Sequence, residues 1–379
     1  MGVGFEAIAP GKLLLFGEHA AVYGYPALGM ALPVRLTLRI DFEELPGAPH
    51  IPHSSAADVR DTLESIENRW TLPDILGDQP HLLGEFFLTV ERTAAELLPS
   101  LEIERYRGVV SLASAIPIAG GFGSSAAVCA CVSRILLAAE SSGDLSEPDT
   151  TLPASPYHAG RPSPKISTPP SHFMPEAPQG RRLWNLANIL ESFFHGTPSG
   201  IDTGLAVLGG TQAFLFPEDA PRGTLPTAYS RPAFPGWVVA ASVPRRGSTK
   251  ALVASVREQV ESRAAAMDKL RELGRIAVEA AELLEDRTPE RTIKETAERA
   301  DRAHELLRDF GLTSSLVEKA LSAGRESGAL GGKMSGAGAG GAFYLVCNDK
   351  ESAGHVSEAV AEAIGSNGVV TIPPQHIAQ

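Results

Sequence analysis

The sequence predicts a two-domain protein of mixed α/β (α+β) class, and three observations carry that reading. The chain has 379 residues, more than a single hydrophobic core usually serves. Apolar side chains make up 43% of it, enough to fill two cores. Short runs with the two-residue period of strands alternate with longer stretches of helical spacing, and glycine-rich turns sit where one gives way to the other.

Residues 34–40 alternate apolar and polar side chains and read as a half-buried strand. Proline and histidine gather between Pro46 and His53, which predicts a loop or insertion. Phe87, Val90, Ala94 and Leu97 lie at helical spacing, predicting a helix over 84–98 that stops at Pro99. Residues 109–113 read as a strand entering a glycine-rich turn, and 126–139 as a largely buried helix. From 144 to 182 prolines recur among Ser and Thr, which rules out a regular helix or central strand. A mobile insertion is expected there, with a docking segment as the alternative. Helical spacing resumes over 183–195. The apolar, glycine-punctuated stretch 205–216 reads as a strand pair or a strand and turn. Residues 237–243 form a buried strand, 249–309 mostly long amphipathic helix, and 331–346 a second glycine-rich turn into a strand.

A formal net charge of −12 lacks the basic footprint of a nucleic-acid binder, while leaving room for an anionic substrate held by a few local cations and backbone N–H groups. No basic leader precedes an apolar run at the N-terminus, and no uninterrupted apolar run reaches the roughly twenty residues of a membrane span. Cys129, Cys131 and Cys347 make neither a disulfide framework nor a zinc-ligand spacing, and Cys129 and Cys131 point to different faces of their helix. A cytoplasmic protein with no nucleic-acid or membrane partner is expected.

The stretch Ile116-Pro117-Ile118-Ala119-Gly120-Gly121-Phe122-Gly123-Ser124-Ser125-Ala126-Ala127 carries the most chemistry. A strand ends, three glycines free the backbone, and a small-residue helix begins whose unpaired N–H groups form a seat for a triphosphate. Ser124 and Ser125 suit helix capping, and a hydroxyl there is placed to ligate Mg²⁺. No Gly-Lys-Ser/Thr follows, so this is not a Walker A loop, and a plain strand-to-helix turn is the alternative. The second loop, Lys333-Met334-Ser335-Gly336-Ala337-Gly338-Ala339-Gly340-Gly341-Ala342-Phe343, lets a ligand or another backbone approach closely; tight packing explains it equally well.

These two loops, with Ala9-Pro10-Gly11-Lys12-Leu13-Leu14-Leu15-Phe16-Gly17-Glu18-His19 ahead of them, resemble the three signatures of the GHMP kinases, in order. Within that superfamily, Gly17-Glu18-His19-Ala20-Ala21-Val22-Tyr23-Gly24, His195-Gly196-Thr197-Pro198-Ser199-Gly200-Ile201-Asp202 and Gly247-Ser248-Thr249-Lys250-Ala251-Leu252-Val253 resemble segments of the mevalonate-kinase family. The resemblance covers most of the chain, apart from 41–80 and 144–182. It implies an N-terminal ribosomal-protein-S5-like domain (1–222) carrying the 144–182 insertion, a ferredoxin-like C-terminal domain (223–379), and an active site between them. It also implies transfer of the γ-phosphoryl group of ATP to the primary hydroxyl of (R)-mevalonate with Mg²⁺ as cofactor; a homodimer stays open.

Carried over by position, Asp202 matches the catalytic base, and its setting between Gly200 and Gly204 suits an exposed turn; an ordinary turn Asp is the alternative. Lys12 matches the active-site lysine that steadies the developing alkoxide, against the alternative of a solvated surface charge. Glu191 and Ser125 match the Mg²⁺ ligands. A projection at about 100° per residue puts Glu191 at the edge of the apolar face of its helix, with Asn185, Asn188 and Ser192 opposite. Such a carboxylate needs a partner, either Mg²⁺ or a basic side chain. Ser114, Gly120, Gly121, Phe122, Gly123, Ser124, Ser125, Gly336 and Gly338 match nucleotide contacts. Glu18 and His19 match a substrate-site lining. Thr249 matches a residue that touches substrate or orders Lys12 and Asp202. Three positions depart from the family pattern: Phe122 for Leu, and Ala119 and Ala339 for Gly. Phosphomevalonate kinase and galactokinase are the rival enzymes, the former demanding extra cations such as Arg245 and Arg246. A catalytically silent ligand-binding relative is the rival from another class.

Overall fold

The computed structural model of the chain describes residues 3–45, 69–73, 80–117, 120–142, 165–166, 178–216, 223–231, 233–286, 288–366 and 368–374. The expected loop at 46–53, Ala119 and nearly all of the proline-rich stretch lie outside these residues. The chain divides into two compact units, each assembled from separate segments.

One unit comprises Met1–Ala9, Arg35–Ala115 and Ser125–Pro198. Strand β1 (Val3–Phe16) begins here with the alternating burial that its sequence dictates. Leu36–Glu44 of β2 (Ala27–Glu44) pairs antiparallel with β4 (Tyr106–Ser114), and β4 pairs in parallel with β3 (Trp70–Thr71). The short β5 (Lys165–Ile166) runs parallel to Glu6 and Ala7. The helices are α1 (Pro80–Leu97), α2 (Ser124–Ser142) and α3 (Pro178–His195). Small side chains on α2, among them Ala126, Ala127, Cys129, Ala130 and Cys131, are buried, so its backbone packs close to its neighbours. By length and composition α2 is apolar enough to cross a bilayer, yet most of it is buried as a core helix of the unit. Helices α1 and α3 meet through aromatic rings, with Phe86 centred 5.1 Å from Phe194 and 5.7 Å from Phe193. Asn188, assigned to the polar face by projection, is buried; α3 is covered over a wider arc than its apolar stripe marks out.

The other unit comprises Pro10–Val34, Ile116–Ser124 and Ser199–Gln379. Ala27–Met30 of β2 pairs antiparallel with β6 (Thr211–Leu215), which pairs with β7 (Thr227–Arg231). Of the strand pair, or strand and turn, expected over 205–216, the structure has a Gly209-Gly210 turn with positive φ at both glycines and the strand β6, while 205–208 is the end of helix α4 (Ile201–Leu208). A short run that is apolar on every side has no period by which to tell helix from strand.

A second sheet, of order β11-β8-β10-β9, is built from β8 (Trp237–Val243), β9 (Gly331–Met334), β10 (Gly341–Cys347) and β11 (Val369–Ile372). Helices α5 (Thr249–Ser262), α6 (Ala264–Leu283), α7 (Pro289–Asp309) and α8 (Ser315–Glu326) lie between β8 and β9 in the chain, and α9 (Lys350–Ile364) between β10 and β11. That alternation and strand order are the ferredoxin-like arrangement expected. The amphipathic stretch 249–309 is three helices: Arg263 turns extended (φ −139) between α5 and α6, and Pro289 starts α7 because it cannot continue a helix.

Ala339 stands where the family pattern has glycine and adopts φ 56, a left-handed conformation that crowds a Cβ. Its N–H donates to the Leu312 carbonyl at 2.6 Å and its carbonyl accepts from Arg246 N at 2.8 Å, so the backbone is held there. Ala339→Gly is therefore expected to stabilise the fold by up to about 1 kcal/mol, read as a higher urea midpoint at unchanged slope.

Candidate active site

Lys12 reaches its place through backbone and side chain together. Its N–H donates to the Phe122 carbonyl at 2.9 Å, tying β1 to the first glycine-rich loop. Its stem lies against Gly123, where an added Cβ would stand 2.6 Å from the Lys12 Cγ; φ is 74 at that glycine, so any other residue is excluded twice. The ammonium lies 3.0 Å from Asp202 Oδ2, with the lysine side chain 8% exposed and the aspartate 40%.

Asp202 does not sit on an exposed turn. It occupies the first turn of α4, after Gly200 at φ 83, where the positive end of the helix dipole favours a carboxylate. Helix and ammonium hold the group from two sides while its exposed edge stays open to an incoming hydroxyl. The expected pair, Lys12 and Asp202, is thus brought together.

Arg245, at the end of β8, donates through Nη1 to Thr249 Oγ1 at 3.0 Å. Its other terminal nitrogen lies against the glycines of both loops: a Cβ on Gly121 or Gly341 would stand 3.3 or 2.8 Å from it. Its Nε is buried without a hydrogen-bond partner. The guanidinium is a cation aimed at the backbone where phosphates were expected, and Thr249 is the hydroxyl that orients it. From the sequence Arg245, with Arg246, is a candidate cation for a phosphorylated substrate, and nothing there ties it to the glycine-rich loops.

The other expected substrate residues behave differently. His19 adopts φ 60 and donates from Nε2 to the Ala337 carbonyl at 3.1 Å. Its Nδ1 is buried with no partner, and burial pushes the imidazole down to about 4, so the ring is neutral and offers a lone pair. Glu18, expected in the substrate lining, is buried, and its carboxylate forms an ion pair with Lys333, a residue to which the sequence reading gave no role. Burial pushes the Glu18 carboxyl up and the Lys333 ammonium down, while the attraction of each for the other opposes both shifts.

Among the glycines of the second loop, Gly338 answers to packing, since a Cβ there would meet the Leu312 carbonyl at 2.4 Å. Gly336 has open space around it. Gly120 is buried, with room denied to a Cβ by Ser242 Oγ at 2.7 Å. Ser124 and Ser125 are the first two residues of α2, inside its first turn.

In the unit that holds Ser125, the hydroxyl donates to Glu191 Oε1 at 2.8 Å and the Cys129 thiol donates to Oε2 at 3.2 Å. His195 Nε2 lies 3.2 Å from the same carboxylate and 3.4 Å from the Ser125 hydroxyl. Glu191 is 1% exposed at its side chain. Ser114 closes β4 opposite Leu36, an exposed strand-end hydroxyl. A buried carboxylate beside a hydroxyl is a pair of hard oxygen donors, the chemistry that Mg²⁺ accepts. That ion takes one or two protein oxygens and completes its octahedron with phosphate and water. No group of three or more His, Cys, Asp and Glu among the described residues is arranged to hold a metal unaided. Ser125 and Glu191 therefore fit an ion that arrives with a nucleotide.

Residues 264–365 match the family model described as GHMP kinases C terminal. A curated mevalonate kinase of Thermococcus sibiricus is 30% identical over 353 residues, covering 91% of this chain and 90% of the relative. A second, from Thermococcus gammatolerans, is 28% identical over 373 residues, covering 97% and 95%. Among solved structures, an L. major mevalonate kinase in complex with R-mevalonate superposes with a TM-score of 0.70 at 17% identity, covering 98% of this chain and 97% of that one. The class is that of GHMP kinases. This chain belongs to the mevalonate kinase family.

Two outcomes follow from this geometry. Gly123→Ala forces the Lys12 stem aside and is expected to lower kcat at least about tenfold with the fold intact by circular dichroism. For His19, the unfolded imidazole takes a proton near 6.5 and the folded one only near 4. Between those values the unfolded state binds more protons, so stability falls as the pH drops from about 6.5 to about 4. His19→Gln should flatten that part of a urea-midpoint profile.

Proposed function

We propose that this chain transfers the γ-phosphoryl group of ATP to the primary hydroxyl of (R)-mevalonate, giving 5-phosphomevalonate and ADP. The observation that carries the reading is the 3.0 Å pairing of Lys12 with a half-open Asp202 at a helix N-terminus. The hydroxyl oxygen forms a bond to the γ-phosphorus as the bond to the β–γ bridging oxygen breaks, and the hydroxyl proton passes to the Asp202 carboxylate. Lys12 steadies the oxygen as it loses that proton. Such a reaction needs placement and charge neutralisation more than covalent help.

The N–H groups around Gly121–Ser125 suit the phosphates, and Arg245 offers its guanidinium to a phosphate or a carboxylate beside them. Ser125 and Glu191 would hold Mg²⁺, which would supply charge neutralisation for the phosphates. The buried, unpartnered Nδ1 of His19 suits a hydroxyl of the substrate as donor. Support for mevalonate over other alcohols comes from the named relatives and from the sequence segments around Glu18, Asp202 and Thr249.

The test is ADP release with Mg²⁺-ATP and, in turn, (R)-mevalonate, 5-phosphomevalonate and galactose. Turnover with mevalonate alone is expected; turnover with another of the three would overturn the substrate assignment. Binding of ATP without turnover of any of them would make the chain a silent ligand-binding relative. For the metal, Glu191→Gln is expected to raise the Mg²⁺ concentration giving half-maximal rate by about tenfold or more.

A further inference from the structure

Among the described residues Lys333 has the most deeply buried ammonium, with a side chain 0% exposed. It pairs with Glu18, donates to the Met334 carbonyl at 2.7 Å, and lies 5.7 and 5.6 Å from the ring centres of Phe16 and Tyr344. Removing an ammonium and a carboxylate from water costs several kcal/mol per ion before their attraction offsets it, so a methionine could fill this space more cheaply. The pair is a poor device for stability, and its worth lies in fixing a geometry.

What it fixes is the turn at the end of β1. Leu14 and Leu15 are fastened to the second sheet by Ser335 Oγ at 2.8 Å and Tyr344 Oη at 2.9 Å. Beyond them the chain turns through Gly17 at φ 97 and His19 at φ 60. A left-handed histidine persists only when its surroundings over-determine it. Its ring is tied to the Ala337 carbonyl, and the residue beside it is anchored by the one ion pair in this turn.

We infer that Lys333 is a positioning residue for phosphoryl transfer: by gripping Glu18 it holds His19 with Nδ1 facing the substrate, and Glu18 itself touches no substrate. This rests on the reading of His19 as a substrate contact. In the full chain, Lys333→Met leaves the Glu18 carboxylate buried and unpaired, whereas Glu18→Gln with Lys333→Met removes both charges.

The test compares both single variants, the double variant and His19→Gln. The readouts are kcat, KM for mevalonate, KM for ATP, thermal melting, and the imidazole nitrogen signals of His19 without substrate. In Lys333→Met, KM for mevalonate should rise about tenfold or more while KM for ATP stays within about threefold. The double variant should keep a KM for mevalonate no higher and no lower than that of Lys333→Met, to within about threefold, because the grip is lost once and cannot be lost again. Such coupling is expected only of side chains that act on one another, and full recovery in the double variant would overturn the inference. His19 should show one tautomer, protonated at Nε2, in the parent, and a mixture in both singles and in the double variant. Independent, multiplying effects of the two substitutions would overturn the inference, as would an unmoved KM for mevalonate. If Lys333→Met does not fold, the comparison of Glu18→Gln with the double variant carries the same test. Coupling in the imidazole signals of a chain that does not turn over mevalonate would count against the substrate reading alone.

Discussion

An ammonium with little water around it must have a partner, and Lys12 meets that requirement with Asp202. The surrounding structure follows from this. The lysine stem needs a channel, which only glycine at position 123 leaves open. The lysine backbone needs a fixed height, which the Phe122 carbonyl sets. The carboxylate needs a second source of positive potential if it is to stay partly open to solvent, and the start of α4 supplies it. A strand, a loop and a helix from distant parts of the sequence are thus placed by the demands of one charge pair.

The glycines divide along the same line. Gly123 makes room for a functional side chain and Gly341 for the Arg245 guanidinium, whereas Gly121, Gly338 and Gly340 make room for backbone, at the Ala342 nitrogen and the Leu312 and Pro244 carbonyls. From sequence the two loops look alike, since glycine records that something comes close and not what comes close. The second loop owes much of its composition to packing, and Ala339 shows that even a left-handed position there tolerates a Cβ.

Much of the fold was legible because its signals are local. The alternation in β2, the stop at Pro99 and the small residues of α2 each report on their own neighbourhood. The helical character of 205–208 was missed because those four residues are all apolar and so carry no period. The breaks between α5, α6 and α7 hang on single residues. In the site, the closeness of Lys12 to Asp202 and of Ser125 to Glu191 was legible only through segments that resemble the family's motifs. Lys333 was not, because its partner Glu18 lies 315 residues away and nothing near either one announces the other. Glu18 was matched to the substrate lining by its place in a motif, which carries no information about its counter-ion. Asn188 was placed on the wrong side because a projection knows the helix and not what covers it.

The central claim is that Asp202 does chemistry and does not merely bind. The most direct measurement is a single-turnover experiment on Asp202→Asn, with nucleotide and mevalonate affinities measured on the same protein. The account predicts affinities within about threefold of the parent and a rate of phosphoryl transfer lower by about a hundredfold or more, because the amide keeps the shape but takes no proton. A variant that transferred phosphate at close to the parental rate would contradict it, and so would one whose whole defect lay in affinity.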